Sequence, residues 1–298
     1  PGRYITGFAA YAGHLVRAER VNALDRLVVM ARDGAEHVVD FGEEAYALGL
    51  EGGYEYETTL SRFVYQSPTT PRQTFDYDLA TRTRTLRKTQ EIPSGHDPSR
   101  YVARRLEARA ADGQMVPITL LMLRDTPQDG SAPVLLYGYG SYGHAMEPVF
   151  SIRNLSLVDR GWIWATAHVR GGSDKGWGWF LDGRKQKKPN SFTDFIACAE
   201  HLIAERYASK GRIAAYGGSA GGAHQCRGDS APQRSTRRSL GGRTRSRQPS
   251  QATEDEDAAT LPTHARPSAL VDAMGAARPG DAAFHVDRPQ ANAGRLPK

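Results

Sequence analysis

The first hundred residues carry short apolar stretches that are separated by turn-forming residues. Clear examples are residues 27–30, 58–65 and 74–78. The first of them leads into Asp33-Gly34, a dipeptide that favours tight turns, and prolines separate the other two. Short apolar stretches between such signals are typical of β-strands. Their spacing predicts an antiparallel array of the kind that a β-propeller contains.

The pattern changes between residues 101 and 222, where strand-like stretches alternate with a helical one. A hairpin is predicted around Asp112-Gly113 because an alternating segment flanks this turn on each side. Apolar side chains recur at helical spacing between residues 191 and 207, and Ser191 with Asp194 is predicted to cap the start of that helix. Further apolar strands are predicted at residues 133–137, 162–167 and 212–216. Strands that alternate with a helix indicate a parallel α/β sheet.

From residue 223 onward the chain loses its hydrophobic periodicity. These 76 residues contain no Ile and a single aromatic side chain, Phe284. A segment so poor in large apolar side chains cannot build a core. We therefore divide the chain into a β-sheet array (residues 1–100), an α/β domain (residues 101–222) and a low-complexity tail (residues 223–298). We expect the tail to be disordered or the product of a frameshift.

Net charge and cysteine content narrow the classes of function. Lys and Arg number 39 against 33 Asp and Glu, and most of the resulting charge of +6 lies beyond residue 222. The remaining body is nearly balanced, so we expect no nucleic-acid partner. No apolar run is long enough to cross a membrane, and the start at Pro1 shows no signal-peptide pattern. Cys198 and Cys226 form no C-x-x-C pair, so we expect no metal site and a reducing, cytoplasmic location.

The motif that carries chemistry is the six-residue run of residues 217–222, Gly-Gly-Ser-Ala-Gly-Gly. It follows a predicted strand, which is where a nucleophile elbow lifts a serine hydroxyl above a sheet. In that arrangement Ser219 is the nucleophile, and the amide of Ala220 points to where an oxyanion forms. The alternative is a glycine-rich turn that carries a surface serine.

A second glycine motif, Gly-Tyr-Gly-Ser-Tyr-Gly at residues 138–143, also follows a predicted strand. It matches the G-x-G-x-x-G fingerprint of dinucleotide-binding proteins, and Asp159 lies near the expected position of the ribose-binding acid. That fingerprint requires a helix to open within it, and the following residues show no helical stripe. The alternative is an oxyanion loop in which the hydroxyl of Tyr139 donates to the developing charge.

Four segments of the chain together resemble the prolyl oligopeptidase family of serine peptidases, and most closely its oligopeptidase B branch. They are residues 135–143, 168–172, 177–183 and 217–222. The resemblance extends from near residue 1 to residue 222. It implies part of a β-propeller followed by a partial α/β-hydrolase domain, truncated at both ends with the C-terminal half of that domain missing. It also implies a peptidase that uses no cofactor or metal and cleaves short basic peptides after Arg or Lys through an acyl-enzyme.

The resemblance assigns roles to five residues of this chain. These are Ser219 as the nucleophile, Tyr139 and the amide of Ala220 as oxyanion donors, and Tyr142 and Glu147 as substrate-binding side chains. Glu147 matches an acid that selects basic side chains in oligopeptidase B. Val149 stands where a second such acid is expected, which leaves the subsite preference open.

The Asp and His that complete the family's catalytic triad lie well after the nucleophile. Asp281 and His285 occupy that part of this chain, but the residues around them do not resemble the family. His168 and His224 do not match the position of the base either, so no triad Asp or His is identified. Since a serine at neutral pH needs a base to take its proton, we expect the 298-residue chain to be inactive as it stands.

Three other classes of function remain as alternatives. They are a non-catalytic binding module built on the partial propeller, a nucleic-acid binder that uses its basic tail, and an NAD-dependent enzyme. Salt-dependent binding to a duplex and nucleotide-induced thermal stabilisation distinguish the last two.

Overall fold

The computed structural model describes residues 3–53 and 55–222, and the strands within them form three sheets. The first sheet has four antiparallel strands in chain order: β1 (Tyr4–Ala10), β2 (His14–Val21), β3 (Leu24–Ala31) and β4 (Glu36–Val38). Asn22 and Ala23 join β2 to β3 and have φ angles of 51° and 61°. Two successive positive φ angles give a turn whose twist matches that of the flanking strands.

The second sheet repeats this four-stranded arrangement. It consists of β5 (Ala47–Glu51), β6 (Leu60–Gln66), β7 (Gln73–Asp78) and β8 (Thr83–Thr89). Side chains of both sheets form one buried apolar cluster, in which the rings of Phe41 and Tyr65 stack with their centroids 5.1 Å apart. The strands predicted at residues 27–30 and 74–78 are confirmed as parts of β3 and β7, and the strand predicted at residues 58–65 corresponds to β6, which begins two residues later at Leu60.

The third sheet has five strands and mixes two directions. Its strands are β9 (Tyr101–Arg109), β10 (Met115–Leu123), β11 (Val134–Gly138), β12 (Ile163–Ala167) and β13 (Ile213–Tyr216). Their order across the sheet is β13-β11-β12-β10-β9. Strand β11 runs parallel to both β12 and β13, whereas β9 and β10 form the hairpin predicted around Asp112-Gly113. The predicted parallel α/β sheet is therefore confirmed for β11, β12 and β13.

Helices cover both faces of this sheet. The helices are α1 (Ile152–Val158), α2 (Trp177–Leu181) and α3 (Pro189–Ala204). Helix α3 buries Phe195, Cys198 and Leu202 in the main core of the domain, which agrees with the apolar stripe seen in the sequence. Helix α1 packs Leu155 and Val158 into a separate small cluster.

The predicted cap of α3 is wrong. The helix begins at Pro189 with Lys188 as the N-cap residue, so Ser191 and Asp194 lie within its first turns. Both of them are fully buried and turn towards the loop after β12, where they bond to Arg170. A proline is favoured at the first helical position because its missing N–H would have no partner there. Ser191 and Asp194 resemble a helix cap in the sequence, but in the structure they make tertiary contacts with Arg170.

The β2–β3 turn contacts the third sheet and the loop after β12. The side chain of Asn22 donates to Glu107 on β9 at 2.5 Å, and Arg105, also on β9, donates to the main-chain oxygen of Asn22. The amide of Ala23 donates to the carbonyl oxygen of Asp174 at 2.8 Å. The first sheet is therefore held to the α/β domain through this turn.

Some residues on which the sequence analysis made predictions lie outside the described part of the chain. The predicted disorder of residues 223–298 and the histidine at 224 lie outside the described residues, as do Asp281 and His285. The three-part division of the chain stays a prediction. Within the described residues, no helix has the length and apolar character required to span a bilayer.

Candidate active site

Ser219 stands at a sharp turn immediately after strand β13. The backbone leaves the strand through Gly217 and Gly218, and Ser219 then takes a φ angle of 53° at the start of a 3₁₀ turn, Ser219–Gly222. A positive φ is unfavourable for a residue with a side chain, and it is the conformation expected at a nucleophile elbow. Ser219 is exposed.

The turn that carries Ser219, called the elbow below, packs closely against the loop that follows β11. Strands β11 and β13 are parallel neighbours with Tyr137 opposite Tyr216, so Gly138 and Gly217 leave the sheet side by side. A Cβ atom on Gly217 would lie 2.2 Å from the carbonyl oxygen of Gly221, and one on Gly221 would lie 2.6 Å from that of Gly138. Contacts this short leave no room for a side chain at either position. The glycines therefore reflect main-chain packing.

This packing brings Tyr139 beside the elbow. A Cβ atom on Gly221 would lie 3.1 Å from the Cα atom of Tyr139, which places the two glycine motifs of the sequence in direct contact. The Tyr139 ring meets the ring of His144 edge-on at a centroid distance of 5.7 Å. Ala220 is the second residue of the 3₁₀ turn, so its backbone follows directly after Ser219.

The loop after β11 is fixed by several main-chain contacts. Gly140 has a φ angle of 63°, and a Cβ atom there would lie 2.6 Å from the side chain of Val169. Gly171 lies so close to this loop that a Cβ atom on it would be 1.9 Å from the carbonyl oxygen of Gly140. A Cβ atom on Gly183 would in turn lie 2.0 Å from the amide nitrogen of Gly171. Three main-chain segments therefore meet with no side chain between them.

The same loop does not have the geometry of a dinucleotide fingerprint. Residues 138–143 open no helix, and the next helix, α1, begins only at Ile152. A fingerprint glycine loop holds pyrophosphate at the N-terminus of the helix that it opens. Of the two hypotheses for this motif, the arrangement favours the loop beside the serine.

Tyr142 and Glu147 lie further along this loop. Tyr142 has a φ angle of 57° and is 55% exposed, so its ring is accessible to a ligand. Glu147 accepts a hydrogen bond at 2.7 Å from Arg20, which comes from strand β2 of the first sheet. The carboxylate predicted to bind a basic substrate side chain is therefore already paired within the protein.

His168 is not arranged as a base for Ser219. It is almost fully buried, and its two ring nitrogens lie 2.8 Å from the hydroxyl of Thr119 and 2.8 Å from the carboxylate of Asp174. Asp174 also accepts from the amide of Met146. With both nitrogens engaged, this His–Asp pair fixes the loops after β11 and β12, and the described residues provide no other pair of this kind.

Sequence reasoning missed a buried ion pair that supports these loops. Arg170 forms two side-chain hydrogen bonds with Asp194 on α3, at 2.5 and 2.9 Å, and a further one with Asp112. Burial by itself would lower the pKa of the Arg170 guanidinium, but the two carboxylates raise it, so the group stays charged. A charged residue close behind a buried strand, as Arg170 is behind β12, was the available signal.

Lys188 at the N-cap of α3 was also missed. Its ammonium group donates to the carbonyl oxygen of Gly140 and, at 2.6 Å, to the hydroxyl of Ser141. Helix α3 therefore holds the loop that carries Tyr139. Among the described residues, no group of three or more His, Cys, Asp or Glu side chains has the arrangement of a metal site.

Comparisons with known proteins find matches for the N-terminal sheets and for the α/β domain. A profile described as "Prolyl oligopeptidase, N-terminal beta-propeller domain" matches residues 2–90, and one described as "Prolyl oligopeptidase family" matches residues 148–225. Dipeptidyl aminopeptidase BI of Pseudoxanthomonas mexicana is 46% identical over 220 residues, which are 74% of this chain and 30% of that protein. Protease 2 of Moraxella lacunata is 37% identical over 220 residues, which are 74% of this chain and 32% of that protein.

Solved structures give the same result. Oligopeptidase B from Trypanosoma brucei with covalently bound antipain, in its closed form, superposes with a TM-score of 0.68 at 35% identity, over 76% of this chain and 33% of that one. Oligopeptidase B from Leishmania major gives 0.67 at 33% identity, over 75% and 33%. The fold class is therefore confirmed as part of a β-propeller followed by part of an α/β-hydrolase domain. The chain spans about a third of the length of the relatives that it matches.

Proposed function

Because this chain belongs to the prolyl oligopeptidase family, we propose that it carries the nucleophile and the oxyanion loop of a serine peptidase that cleaves short peptides. The observation that carries the proposal is the elbow at Ser219, packed against the loop of Tyr139. Its exposed serine, positive φ and glycine contacts are what a nucleophile elbow requires.

The proposed reaction proceeds through an acyl-enzyme. The Oγ atom of Ser219 attacks the carbonyl carbon of the scissile bond, and its proton passes to a base. The Tyr139 hydroxyl and the Ala220 amide donate to the oxyanion that forms. The C–N bond then breaks, the amine leaves with a proton, and water releases the acyl group from the serine.

The substrate proposed for this site is a short peptide with an Arg or Lys side chain before the scissile bond. Glu147 supplies the negative charge and the exposed ring of Tyr142 supplies an apolar surface. With valine at position 149, the selectivity rests on a single carboxylate. The names of Protease 2 and of the oligopeptidase B structures support a peptidase of this class.

The 298-residue chain itself is proposed to lack turnover. His168 is engaged on both ring nitrogens, and no other described histidine is identified as the base. Without a proton acceptor, attack by Ser219 at neutral pH is slow even in an intact oxyanion site. The cytoplasmic location also stays a prediction. The comparisons give no support to the non-catalytic alternative.

A fluorophosphonate probe with added imidazole tests this proposal. In buffer alone, we expect Ser219 to be labelled no faster than an ordinary exposed serine, because no histidine among the described residues is identified as the base that takes its proton. Imidazole supplies a diffusible base, so labelling of Ser219 is expected to rise with imidazole concentration. Labelled peptides are quantified by mass spectrometry.

Ser156 on the exposed face of α1 provides an internal control in the same digest. A surface serine without oxyanion donors should respond far less to imidazole, and Ser219→Ala should remove the responding peptide. An equal rise in labelling at Ser219 and Ser156 would contradict an active-site environment around Ser219. Rapid labelling of Ser219 without imidazole would instead show that the chain has its own base.

A second candidate is the release of dipeptides from free amino termini, and the name of the 46% identical relative favours it. Such an enzyme must bind the substrate's terminal ammonium group. Titration of one tetrapeptide in free and acetylated form separates the candidates. An endopeptidase site should bind both forms alike, whereas an aminopeptidase site should lose the acetylated one.

A further inference from the structure

Arg20 links the first sheet to the loop of the candidate site. Its Nε atom donates to Asp25 and its Nη2 atom to Glu147, both at 2.7 Å. The side chains of Arg20 and Asp25 are only 9% and 5% exposed, whereas that of Glu147 is 47% exposed. One guanidinium group therefore joins a buried carboxylate to one that a ligand can reach.

The strands around Arg20 hold it in place. Asp25 also accepts from the amide of Leu48 at 3.1 Å, so its position does not depend on Arg20 alone. The adjoining turn is bonded to the α/β domain through Asn22 and Ala23. Arg20 is thus an anchored donor, and swinging it away from Glu147 would disrupt other contacts.

Arg20 remains charged in this position. Burial alone would lower the pKa of its guanidinium, but the charges and hydrogen bonds of Asp25 and Glu147 raise it. A second cation that approaches Glu147 therefore meets a fixed positive charge beside the same carboxylate.

We propose that Arg20 determines substrate specificity by competing with the basic side chain of the substrate for Glu147. The proposal rests on the proposed function and on the role of Glu147 in it. Because Oε1 already accepts from the charged Arg20, an incoming guanidinium finds fewer free acceptor sites and binds Glu147 more weakly than it would bind an unpaired carboxylate. The site consequently prefers Arg over a neutral side chain less strongly than a lone glutamate would.

The test compares two probes, acetyl-Phe-Arg-amide and acetyl-Phe-norleucine-amide, by calorimetric titration of the full chain. The double variant Arg20→Met/Asp25→Asn removes the competitor together with its buried partner. The net charge of Arg20, Asp25 and Glu147 together is one negative charge before and after the double substitution. The long-range attraction of the cationic probe therefore stays the same. The ratio of the two affinities is expected to rise roughly three- to tenfold in favour of the Arg probe.

Two controls accompany this variant. Arg17→Met removes another β2 arginine, which pairs with Glu19 and Glu36 and does not touch Glu147, and it should leave the ratio unchanged. Glu147→Gln should bring the ratio close to one, with and without the double substitution. If the double variant does not fold, Arg20→Lys is used, since its shorter ammonium cannot bridge both carboxylates, and a smaller rise is expected.

The outcomes separate the competition from the proposed function. A preference for Arg that depends on Glu147 but is unchanged by removal of Arg20 would overturn the competition and leave the substrate class standing. A fall in the ratio would show that Arg20 assists the binding of the cation, which also overturns the proposal. If no variant prefers the Arg probe, both the role of Glu147 and the competition are wrong.

Discussion

At the scale of single residues, the candidate site depends on positions where only hydrogen fits. Gly217 and Gly218 are neighbours in sequence, but a Cβ atom on Gly217 would meet main chain at 2.2 Å, whereas one on Gly218 would meet nothing within 4 Å. Two glycines that look alike in the sequence therefore do different things. The pair provides a matched test of whether the elbow geometry activates Ser219.

We expect Gly217→Ala to reduce imidazole-dependent labelling of Ser219 by about 100-fold, because the turn must open and a shift of about 1 Å has an effect of that size. Gly218→Ala should retain most of the labelling. The measurement is the fluorophosphonate rate at Ser219, with circular dichroism to verify that both variants fold. Equal rates for the two variants would contradict the role of the contact with Gly221.

The motif predicted a sharp turn at Ser219, and the structure has one there. It did not predict the pairing of Glu147 with Arg20. The elbow follows from a local sequence in which a strand leads into closely spaced glycines. The bond to Arg20 joins residues 127 positions apart, and neither residue is unusual in its own neighbourhood. No local pattern contains information about such a contact. The sequence therefore indicated an acid in the loop but not the arginine with which it pairs inside the protein.

At the scale of elements, α3 does more than cover the sheet. Its first turns bring Lys188, Ser191 and Asp194 against the loops after β11 and β12. The stripe of apolar residues predicted the helix and its buried face. The inward-facing polar residues looked like a cap because a cap and a tertiary contact use the same residue types, and only the position of Pro189 separates the two.

We expect Asp194→Asn to destabilise the protein by about 3–5 kcal/mol, because it leaves the buried charge of Arg170 without its main partner. Asp112→Asn removes the other, half-exposed partner of the same arginine and should cost less than about 1 kcal/mol. Urea unfolding of both variants measures these free energies. Similar losses for the two would show that burial of the partner does not control the energy of this pair.

At the scale of the whole molecule, the first sheet and the α/β domain are joined through one two-residue turn and a few flanking bonds. Arg105 on β9 binds the main chain of Asn22 and is itself largely buried, which lowers the pKa of its guanidinium. The neighbouring Arg104 pairs with Glu44 at half-exposed positions. The two arginines differ in how directly they secure the turn.

Arg105→Met is expected to uncouple the N-terminal sheets from the α/β domain, so that calorimetry should show two thermal transitions for the variant and one for the parent chain. A loss of about 1 kcal/mol would lower the midpoint of a domain of this size by roughly 4–8 °C. Arg104→Met should leave the transition almost unchanged. A single unshifted transition for Arg105→Met would mean that other contacts carry the coupling.

The meeting of main chains at Gly140, Gly171 and Gly183 has a consequence for how this lineage diverges. When a substitution collides with a side chain, a second mutation can shorten that side chain and restore the fit. At Gly171 and Gly183 the nearest obstructing atoms are a carbonyl oxygen and an amide nitrogen, which every amino acid carries. At Gly140 the carbonyl oxygen of Arg170, 2.9 Å from the added Cβ atom, would still obstruct it after Val169 was shortened. A second mutation therefore cannot restore the fit when one of these three glycines is replaced. Variation around the site is expected to accumulate through insertions, deletions and exchanges in the exposed parts of the loops, while these positions stay fixed.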